Sequence, residues 1–188
     1  SWCAKNDAIL IYISTDYVFY GGLNRAYKPN DTTQPINKYG ESKLLGEEVV
    51  KKLCKKYYIA RTSWLYGDKP HNFVTDLIAA SNNAQLQVVN DQTGCPTWTC
   101  DVALALIDLL NNHDFGIYHV CNSGSTTWYG LAQKLYDLLG IKVNLKPCSS
   151  EILRNRIAKR PVQSVMDNGG LCRSWEEALT DFVKSLKH

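Results

Sequence analysis

The chain has 188 residues, of which 45% are hydrophobic and 21% charged, and its formal net charge is +3. This is the composition of an ordinary globular protein, long enough for one domain or one and a half. The small charge gives no reason to expect a nucleic-acid partner. The longest apolar run near the start, Ala8 to Ile13, is far shorter than the ~20 residues that cross a bilayer. Seven scattered cysteines without a Cys-x-x-Cys indicate reduced thiols, and we expect a cytoplasmic protein with no membrane partner.

Short apolar runs alternate with amphipathic stretches along the whole chain. The run from Ala8 to Ile13 is typical of a strand buried on both faces of a parallel sheet. Further strands are predicted at 57–63, 86–89, 117–120 and 143–145, and helices at 37–56, 73–80, 101–110, 128–139 and 174–186. The predicted helix caps are Thr99 or Asp101, Gly140, and a capping box of Ser174 with Glu177. This alternation predicts an α/β fold with a largely parallel sheet.

The predicted helix at 37–56 carries the residues that we expect to do chemistry. At about 100° per residue its apolar side chains form one arc and most of its charges lie opposite. The apolar arc holds Leu45, Gly46, Val49, Val50, Leu53 and Cys54, and the charged side holds Glu47, Glu48, Lys51, Lys52 and Lys55. Tyr39 and Lys43 fall inside the apolar arc, four residues apart and therefore side by side. An ammonium beside a phenol in a dry site lowers the phenol's pKa, which would make Tyr39 a proton donor or acceptor near neutral pH. The alternative is that Tyr39 is a core aromatic and Lys43 extends its stem to solvent.

Four segments, one of which lies in the predicted helix at 37–56, carry a resemblance to a known family. They are Ser14-Thr15-Asp16-Tyr17-Val18-Phe19, Tyr39-Gly40-Glu41-Ser42-Lys43-Leu44-Leu45-Gly46-Glu47, Arg61-Thr62-Ser63-Trp64-Leu65-Tyr66-Gly67 and Asp91-Gln92-Thr93-Gly94-Cys95-Pro96-Thr97. Together with Arg160-Pro161 and Ser164, they resemble successive motifs of the dTDP-4-dehydrorhamnose reductase family, which belongs to the extended short-chain dehydrogenase/reductases.

The resemblance implies a fold, a reaction and a set of site residues. The fold would be the C-terminal part of a Rossmann-type NAD(P)-binding sheet at 1–66, followed by a small α/β substrate-binding region at 67–188 that returns some elements to the sheet. The reaction would be NADPH- or NADH-dependent reduction of a C4 ketone in dTDP-rhamnose biosynthesis. The implied catalytic residues are Tyr39, Lys43 and Thr15. Those near the cofactor are Tyr39, Lys43, Ser14, Thr62 and Ser63, and those near the nucleotide-sugar substrate are Asp16, Tyr17, Trp64, Gln92, Thr97 and Arg160.

The sequence departs from the family in one major respect, because it contains no glycine-rich turn of the Gly-x-Gly-x-x-Gly type. Such a turn lets the cofactor pyrophosphate approach a helix N-terminus. The chain also starts at Ser1, and its single methionine is Met166. We therefore expect a fragment or processed product that lacks the first half of the Rossmann sheet, binds cofactor poorly and turns over little by itself. An exposed sheet edge would also favour self-association, for example as a homodimer.

Other functions remain open or are disfavoured by particular residues. A sugar 4,6-dehydratase needs acid and base carboxylates in succession, whereas Asp16 is followed by Tyr17. The four histidines show no metal-ligand spacing, and His119 is expected to be a core histidine. A regulatory subunit resembling the β subunit of methionine adenosyltransferase, or an inactive gene fragment, are the alternatives to a reductase. A basic run could meet a diphosphate, although only Arg160 within it has motif support; the run is Lys142, Lys146, Arg154, Arg156, Lys159 and Arg160.

Overall fold

The computed structural model describes residues 2–82, 85–153 and 158–186, so Arg154 and Arg156 lie outside the described residues. The strands of the described part are β1 (Leu10–Thr15), β2 (Tyr57–Thr62), β3 (Leu65–Tyr66), β4 (Leu86–Val89), β5 (Thr93–Gly94), β6 (Thr97–Trp98), β7 (Gly116–His119), β8 (Thr126–Thr127) and β9 (Leu145–Cys148). The α-helices are α1 (Trp2–Lys5), α2 (Lys38–Leu53), α3 (Phe73–Ala79), α4 (Thr99–Asn112), α5 (Trp128–Leu139) and α6 (Trp175–Ser185). Short 3-10 helices cover Asp16–Val18 and Ser150–Leu153.

A three-stranded parallel sheet in the order β1-β2-β7 forms one half of the molecule. Successive side chains of β2 point to opposite faces. Tyr58 and Ala60 join a hydrophobic cluster with Val102 and Leu109 of α4, whereas Arg61 contacts α2 on the other face. The sheet is thus covered by a helix on each side, and the predicted α/β fold with a parallel sheet is confirmed.

A second core lies between α3, α5 and α6. Its fully buried members include Val74, Leu131, Leu135 and Phe182. The parallel pair β4-β9 closes this region on one side. Two further pairs have strands of only two residues: β3 and β6 are parallel, and β5 and β8 are antiparallel. Strands this short carry no periodic pattern, and the sequence did not predict them.

Most predicted helix ends are confirmed, and two local predictions are wrong. Gly140 ends α5 in the left-handed conformation at φ 70°, and Ser174 forms the predicted capping box with Glu177. Helix α4 instead begins at Thr99 without a side-chain cap, because the Asp101 carboxylate is taken by other partners inside the protein. The strand predicted at 143–145 lies at Leu145–Cys148, where it pairs with β4.

The long connection at 20–36 is held in place near its centre by the buried side chain of Tyr27. Tyr27 is only 1% exposed, and its ring stacks on Phe19 with the centroids 4.1 Å apart. The Tyr27 hydroxyl accepts hydrogen bonds from the backbone N–H groups of Gly21 and Gly22. This connection therefore has a buried anchor, which fixes its position beside the carboxyl end of β1.

Two expectations about the remaining residues can be compared with the structure. His119 is buried, and its Nδ1 lies 3.1 Å from the Asp167 carbonyl oxygen. Burial, together with the nearby Arg61 charge, lowers the His119 pKa to about 4, as expected for a neutral core histidine. Within the described ranges, no helix has both the length and the apolar character that a membrane crossing requires.

Candidate active site

The candidate site lies where β1 and β2 end. Because these strands are parallel, Thr15 and Thr62 stand opposite one another at the same edge of the sheet, which is the edge where open α/β sheets place ligands. The 3-10 turn that starts at Asp16 then leads the chain across this edge. The sheet topology therefore brings together the first and third of the predicted motifs.

Helix α2 starts beside this edge because of its cap and one glycine. The Asn37 side chain accepts a hydrogen bond from the Gly40 N–H at 2.8 Å, and its own amide donates to the Lys159 carbonyl at 2.8 Å. A Cβ on Gly40 would lie 2.1 Å from the Tyr17 carbonyl oxygen, so only glycine permits this close approach. The first turn of α2 is thereby held against both the turn after β1 and the C-terminal segment.

Tyr39 is exposed at the start of α2, so the prediction that it belongs to the buried arc is wrong, whereas Lys43 is half-buried on the side of the helix that faces β1. Tyr39 is 54% exposed, and its ring packs edge-on against Tyr17 with the centroids 5.8 Å apart. The Lys43 ammonium lies 4.6 Å from the centroid of the Tyr12 ring. The pair is therefore accessible to a ligand.

The error has a physical cause in the charged residue Glu47, which the sequence pattern assigned to the solvent side. Glu47 is fully buried and forms an ion pair with Arg61, which is also buried. With Glu47 facing the sheet, the predicted apolar arc is rotated outward. Leu45, Val49 and Leu53 are accordingly 61%, 54% and 45% exposed.

Six of the twelve predicted site residues are buried and bonded within the protein. They are Ser14, Thr15, Asp16, Thr62, Ser63 and Thr97. The Asp16 carboxylate accepts hydrogen bonds from Thr15 Oγ1 at 3.1 Å and from Ser63 Oγ at 3.2 Å. Burial raises the pKa of Asp16 to about 6, although hydrogen bonds from Ser164, Thr15 and Ser63 act in the opposite direction. Asp16 thus ties together the ends of β1 and β2 and the C-terminal segment.

Ser14, Thr62 and Thr97 each donate a hydrogen bond within the protein, and their predicted ligand contacts stay predictions. Ser14 Oγ donates to Glu47 Oε1 at 2.5 Å, and Thr62 Oγ1 donates to the Ser14 carbonyl at 3.2 Å. Thr97 Oγ1 donates to the Cys95 carbonyl and accepts from a backbone N–H. Small polar residues at strand ends give the same sequence signal whether they face a ligand or a neighbouring segment.

The other six residues are at least partly exposed, and two of them line the same cavity. They are Tyr17, Tyr39, Lys43, Trp64, Gln92 and Arg160. A cavity of about 510 Å³ lies beside β4 and is lined by Gln92 and Arg160 together with apolar side chains. The apolar lining includes Phe73, Leu77, Leu86, Val88, Val89, Trp128 and Ile152.

Trp128 is the functional candidate that the sequence did not reveal. Its ring stacks on Trp64 with the centroids 3.5 Å apart and the planes 5° from parallel, and Trp64 itself has the unusual φ of 45°. The Trp128 indole N–H points at Gln92 Oε1 at 3.3 Å. Since an indole N–H can only donate, the Gln92 amide nitrogen is the group left for a ligand. An aromatic residue at the first position of an amphipathic helix gives no separate signal for such a role.

The C-terminal segment at 158–166 crosses between the two parts of the site. Its Lys159 carbonyl is bound by Asn37, and Pro161 packs so closely on Gly21 that a Cβ on Gly21 would lie 2.4 Å from the Pro161 Cβ. Arg160, between these contacts, lines the cavity. The backbone that carries the one cationic side chain among the described lining residues is therefore held on both sides.

Known proteins share both this sequence and this geometry. The chain is 39% identical to a dTDP-4-dehydrorhamnose reductase of Streptomyces griseus over 199 residues, covering 98% of the chain and 65% of that protein. A crystal structure of a dTDP-4-dehydrorhamnose reductase from Clostridium acetobutylicum superposes with a TM-score of 0.95 at 37% identity, covering 99% of this chain and 69% of that one. The Bacillus anthracis reductase in complex with NADP superposes with a TM-score of 0.90 at 40% identity, covering 95% and 66%.

The match extends over the whole of this chain but not over the whole of its relatives. The chain spans about 65% of the length of the Streptomyces griseus reductase. A family model described as the RmlD substrate binding domain matches residues 1–188. With the motifs, the parallel sheet and the full-length match in agreement, the chain belongs to the RmlD substrate binding domain family.

Proposed function

We propose that this chain takes part in the NAD(P)H-dependent reduction of the C4 ketone of a dTDP-linked 6-deoxy-4-keto sugar, converting dTDP-4-dehydrorhamnose into dTDP-rhamnose. The observation that carries the proposal is that Tyr39 and Lys43 are accessible at the carboxyl edge of the sheet. The same fold contains a cavity whose described lining includes one cationic side chain, that of Arg160. The relatives named as dTDP-4-dehydrorhamnose reductases support the same reaction.

The donor groups of α2 fit the nicotinamide end of such a cofactor. Lys43 offers three N–H donors beside the exposed phenol of Tyr39, a set suited to ribose hydroxyls. A nicotinamide cofactor, when bound, supplies the hydride that reduces C4. The sequence holds no glycine-rich turn for the pyrophosphate, so only the nicotinamide ribose has fitting residues here.

In the proposed reaction, Tyr39 gives its phenolic proton to the C4 oxygen as the hydride reaches the carbon. Thr15 supports this step from the sheet edge, where its hydroxyl donates to Asp16 and accepts from the Tyr17 N–H. The Tyr17 ring contacts the Tyr39 ring and restricts where the phenol can lie.

The cavity is the proposed site of the nucleotide part of the substrate. Its volume lies within the 300–1,000 Å³ range that is usual for small-molecule sites. Arg160 supplies a planar guanidinium that suits a diphosphate, and the Gln92 amide nitrogen faces an acceptor on the ligand. Trp128 lines the cavity and its ring stacks on Trp64, so the two rings form an aromatic wall with Trp128 on the cavity side, which suits the apolar face of a sugar or base.

The wider setting of the chain is also part of the proposal. We propose a Rossmann-type portion at 1–66 and a mainly substrate-binding portion at 67–188, with β7 returning to the Rossmann sheet. The scattered cysteines support a cytoplasmic location. The exposed apolar stripe of Leu45, Val49 and Leu53 supports association into a homodimer.

The proposal is tested by two measurements on the natural polypeptide at its native length. Its mass is first compared with that of the 188-residue chain, and NADPH oxidation is then followed with dTDP-4-dehydrorhamnose. We expect turnover in the natural polypeptide and little or none in the 188-residue chain, which has no glycine-rich turn. No turnover in the natural polypeptide, with co-purification of a methionine adenosyltransferase, would replace the proposal by the regulatory-subunit alternative.

A further inference from the structure

A bidentate ion pair between Glu47 of α2 and Arg61 of β2 lies entirely inside the protein. Glu47 is 0% exposed and Arg61 is 2% exposed. Arg61 Nε donates to Glu47 Oε1 at 2.9 Å, and Arg61 Nη2 donates to Glu47 Oε2 at 2.7 Å. Two parallel hydrogen bonds between charged groups are strong and strongly directional. A buried pair of this kind fixes the relative position of the two elements that carry it.

The same pair also joins two other segments. Ser14 Oγ, at the end of β1, donates to Glu47 Oε1 at 2.5 Å. Arg61 Nη1 donates to the Pro29 carbonyl of the 20–36 connection at 3.0 Å, and the guanidinium carbon lies 5.1 Å from the Phe19 ring centroid. Strand β1, strand β2, helix α2 and the long connection are therefore held at one point.

This point lies close to the proposed chemistry along the chain. Glu47 is one helical turn after Lys43 and two turns after Tyr39, so all three stand along one side of α2. Ser14 immediately precedes Thr15. A change in the bond at Glu47 therefore acts on Lys43 through the rigid helix and on Thr15 through the strand.

Apolar packing alone does little to fix the rotation of α2 about its own axis. Its buried side chains are few, since Gly40, Glu47 and Val50 are its buried positions. The larger apolar side chains of the helix, including Leu45 and Val49, are mostly exposed. The close backbone approaches at Gly40 and Gly46 and the hydrogen bond from the Tyr12 hydroxyl to the Lys43 carbonyl also orient the helix. The bidentate pair adds the directional side-chain contact between the middle of α2 and β2.

We infer that the Glu47–Arg61 pair, with Ser14, is a positioning device that sets the rotation of α2 and so holds Tyr39 and Lys43 in register with Thr15. Its catalytic consequence rests on the proposed function. Neither Glu47 nor Arg61 touches the reacting groups. Their loss should therefore lower kcat while leaving the KM for the sugar nucleotide nearly unchanged.

The first experiment compares Glu47→Gln with Glu48→Gln in the natural polypeptide. Gln keeps the shape of Glu but removes the charge, and Glu48 is the exposed neighbour on the same helix. We expect kcat of Glu47→Gln to fall by about 100-fold, the size of effect that follows a displacement of about 1 Å at a catalytic group, with the KM for the sugar nucleotide within about 3-fold. Glu48→Gln should match the unsubstituted protein. Equal kcat values for the two variants would overturn the inference.

A double variant separates positioning from stability. Replacing both Glu47 and Arg61 by Met removes the two charges together and leaves no unpaired ion in the core, a change that proteins often accept without loss of stability. A folded double variant with reduced kcat supports positioning through the directional bonds. A folded double variant with full kcat would show that the pair serves stability alone.

Amide hydrogen exchange provides a readout that needs no activity. We expect the amides at 38–46 to exchange at least about 10-fold faster in Glu47→Gln, because the helix is released from β2. Leu109→Ala, in the α4 core on the opposite face of the sheet, should leave their rates unchanged when compared at equal stability. If the natural polypeptide shows no turnover, the proposed function fails, and unchanged exchange at 38–46 would separately refute the positioning role.

Discussion

Replacing Gly94 by alanine should disturb the aromatic wall of the cavity. A Cβ at Gly94 would lie 2.5 Å from Trp64 Cε2 and 2.6 Å from Trp64 Nε1. Neither distance is tolerated between non-bonded atoms. The Trp64 ring is also stacked on the Trp128 ring with the centroids 3.5 Å apart, so moving it disturbs that stack. The substitution must therefore move the tryptophan pair or the backbone of β5.

The size of the effect follows from the kind of overlap. Inserting one methyl group into packed surroundings costs about 1–3 kcal/mol in the free energy of unfolding. Because Gly94 does not have a positive φ, this cost comes from the steric overlap and not from backbone strain. Trp128 also holds Gln92 through its indole N–H, so the affinity for dTDP should fall together with stability.

The measurement is urea unfolding followed by tryptophan fluorescence, combined with titration calorimetry of dTDP. Gly116→Ala is the matched control, since its new Cβ would meet only Tyr118 Cε2, at 3.7 Å. We expect the control to stay within about 0.5 kcal/mol of the unsubstituted chain. Gly94→Ala with the stability and dTDP affinity of Gly116→Ala would refute the assignment of this wall.

Three further substitutions test separate parts of the site. The pKa of Asp16 is about 6 in the folded protein and near 4 when unfolded, so the folded state binds the proton more tightly and stability falls as pH rises through this window. Asp16→Asn should remove that slope and gain about 2–3 kcal/mol over the unsubstituted chain at pH 7, less any loss from its altered hydrogen bonds, as read from urea midpoints between pH 4 and 8; an unchanged slope would contradict this. Tyr39→Phe in the natural polypeptide should lower turnover by about 10²–10⁴-fold, the range for a proton donor, while Tyr20→Phe keeps it; NADPH oxidation decides between them. Arg160→Ala should weaken dTDP binding by roughly 10–100-fold through loss of charged hydrogen bonds, and calorimetry should find no change for Arg25→Ala, whose exposed side chain pairs with its own loop.

The interior of the site shows where sequence reasoning stops. Tyr39 and Lys43 were identified by their spacing, and the exposed Tyr39 beside a half-buried Lys43 supports the proposal. The exposure of Tyr39 was predicted incorrectly, since a periodic pattern cannot show that Glu47 is buried when its partner Arg61 lies fourteen residues away on another element. The cavity wall was missed in part for the same reason, because Trp128 reaches Trp64 only through tertiary contact.

The sequence by itself determined the α/β class, the order of the main helices and strands, and the family, because these depend on local periodicity, capping residues and motifs. Gly140 and Ser174 ended and began helices where their chemistry requires it. Tertiary structure alone decided which polar side chains line the cavity and which are bonded inside the protein. Ser14 and Thr97 are buried and donate internal hydrogen bonds, whereas Gln92 and Arg160 line the cavity. A hydroxyl or carboxylate has the same chemistry in either place, and only its neighbours in space determine whether it can bind anything else.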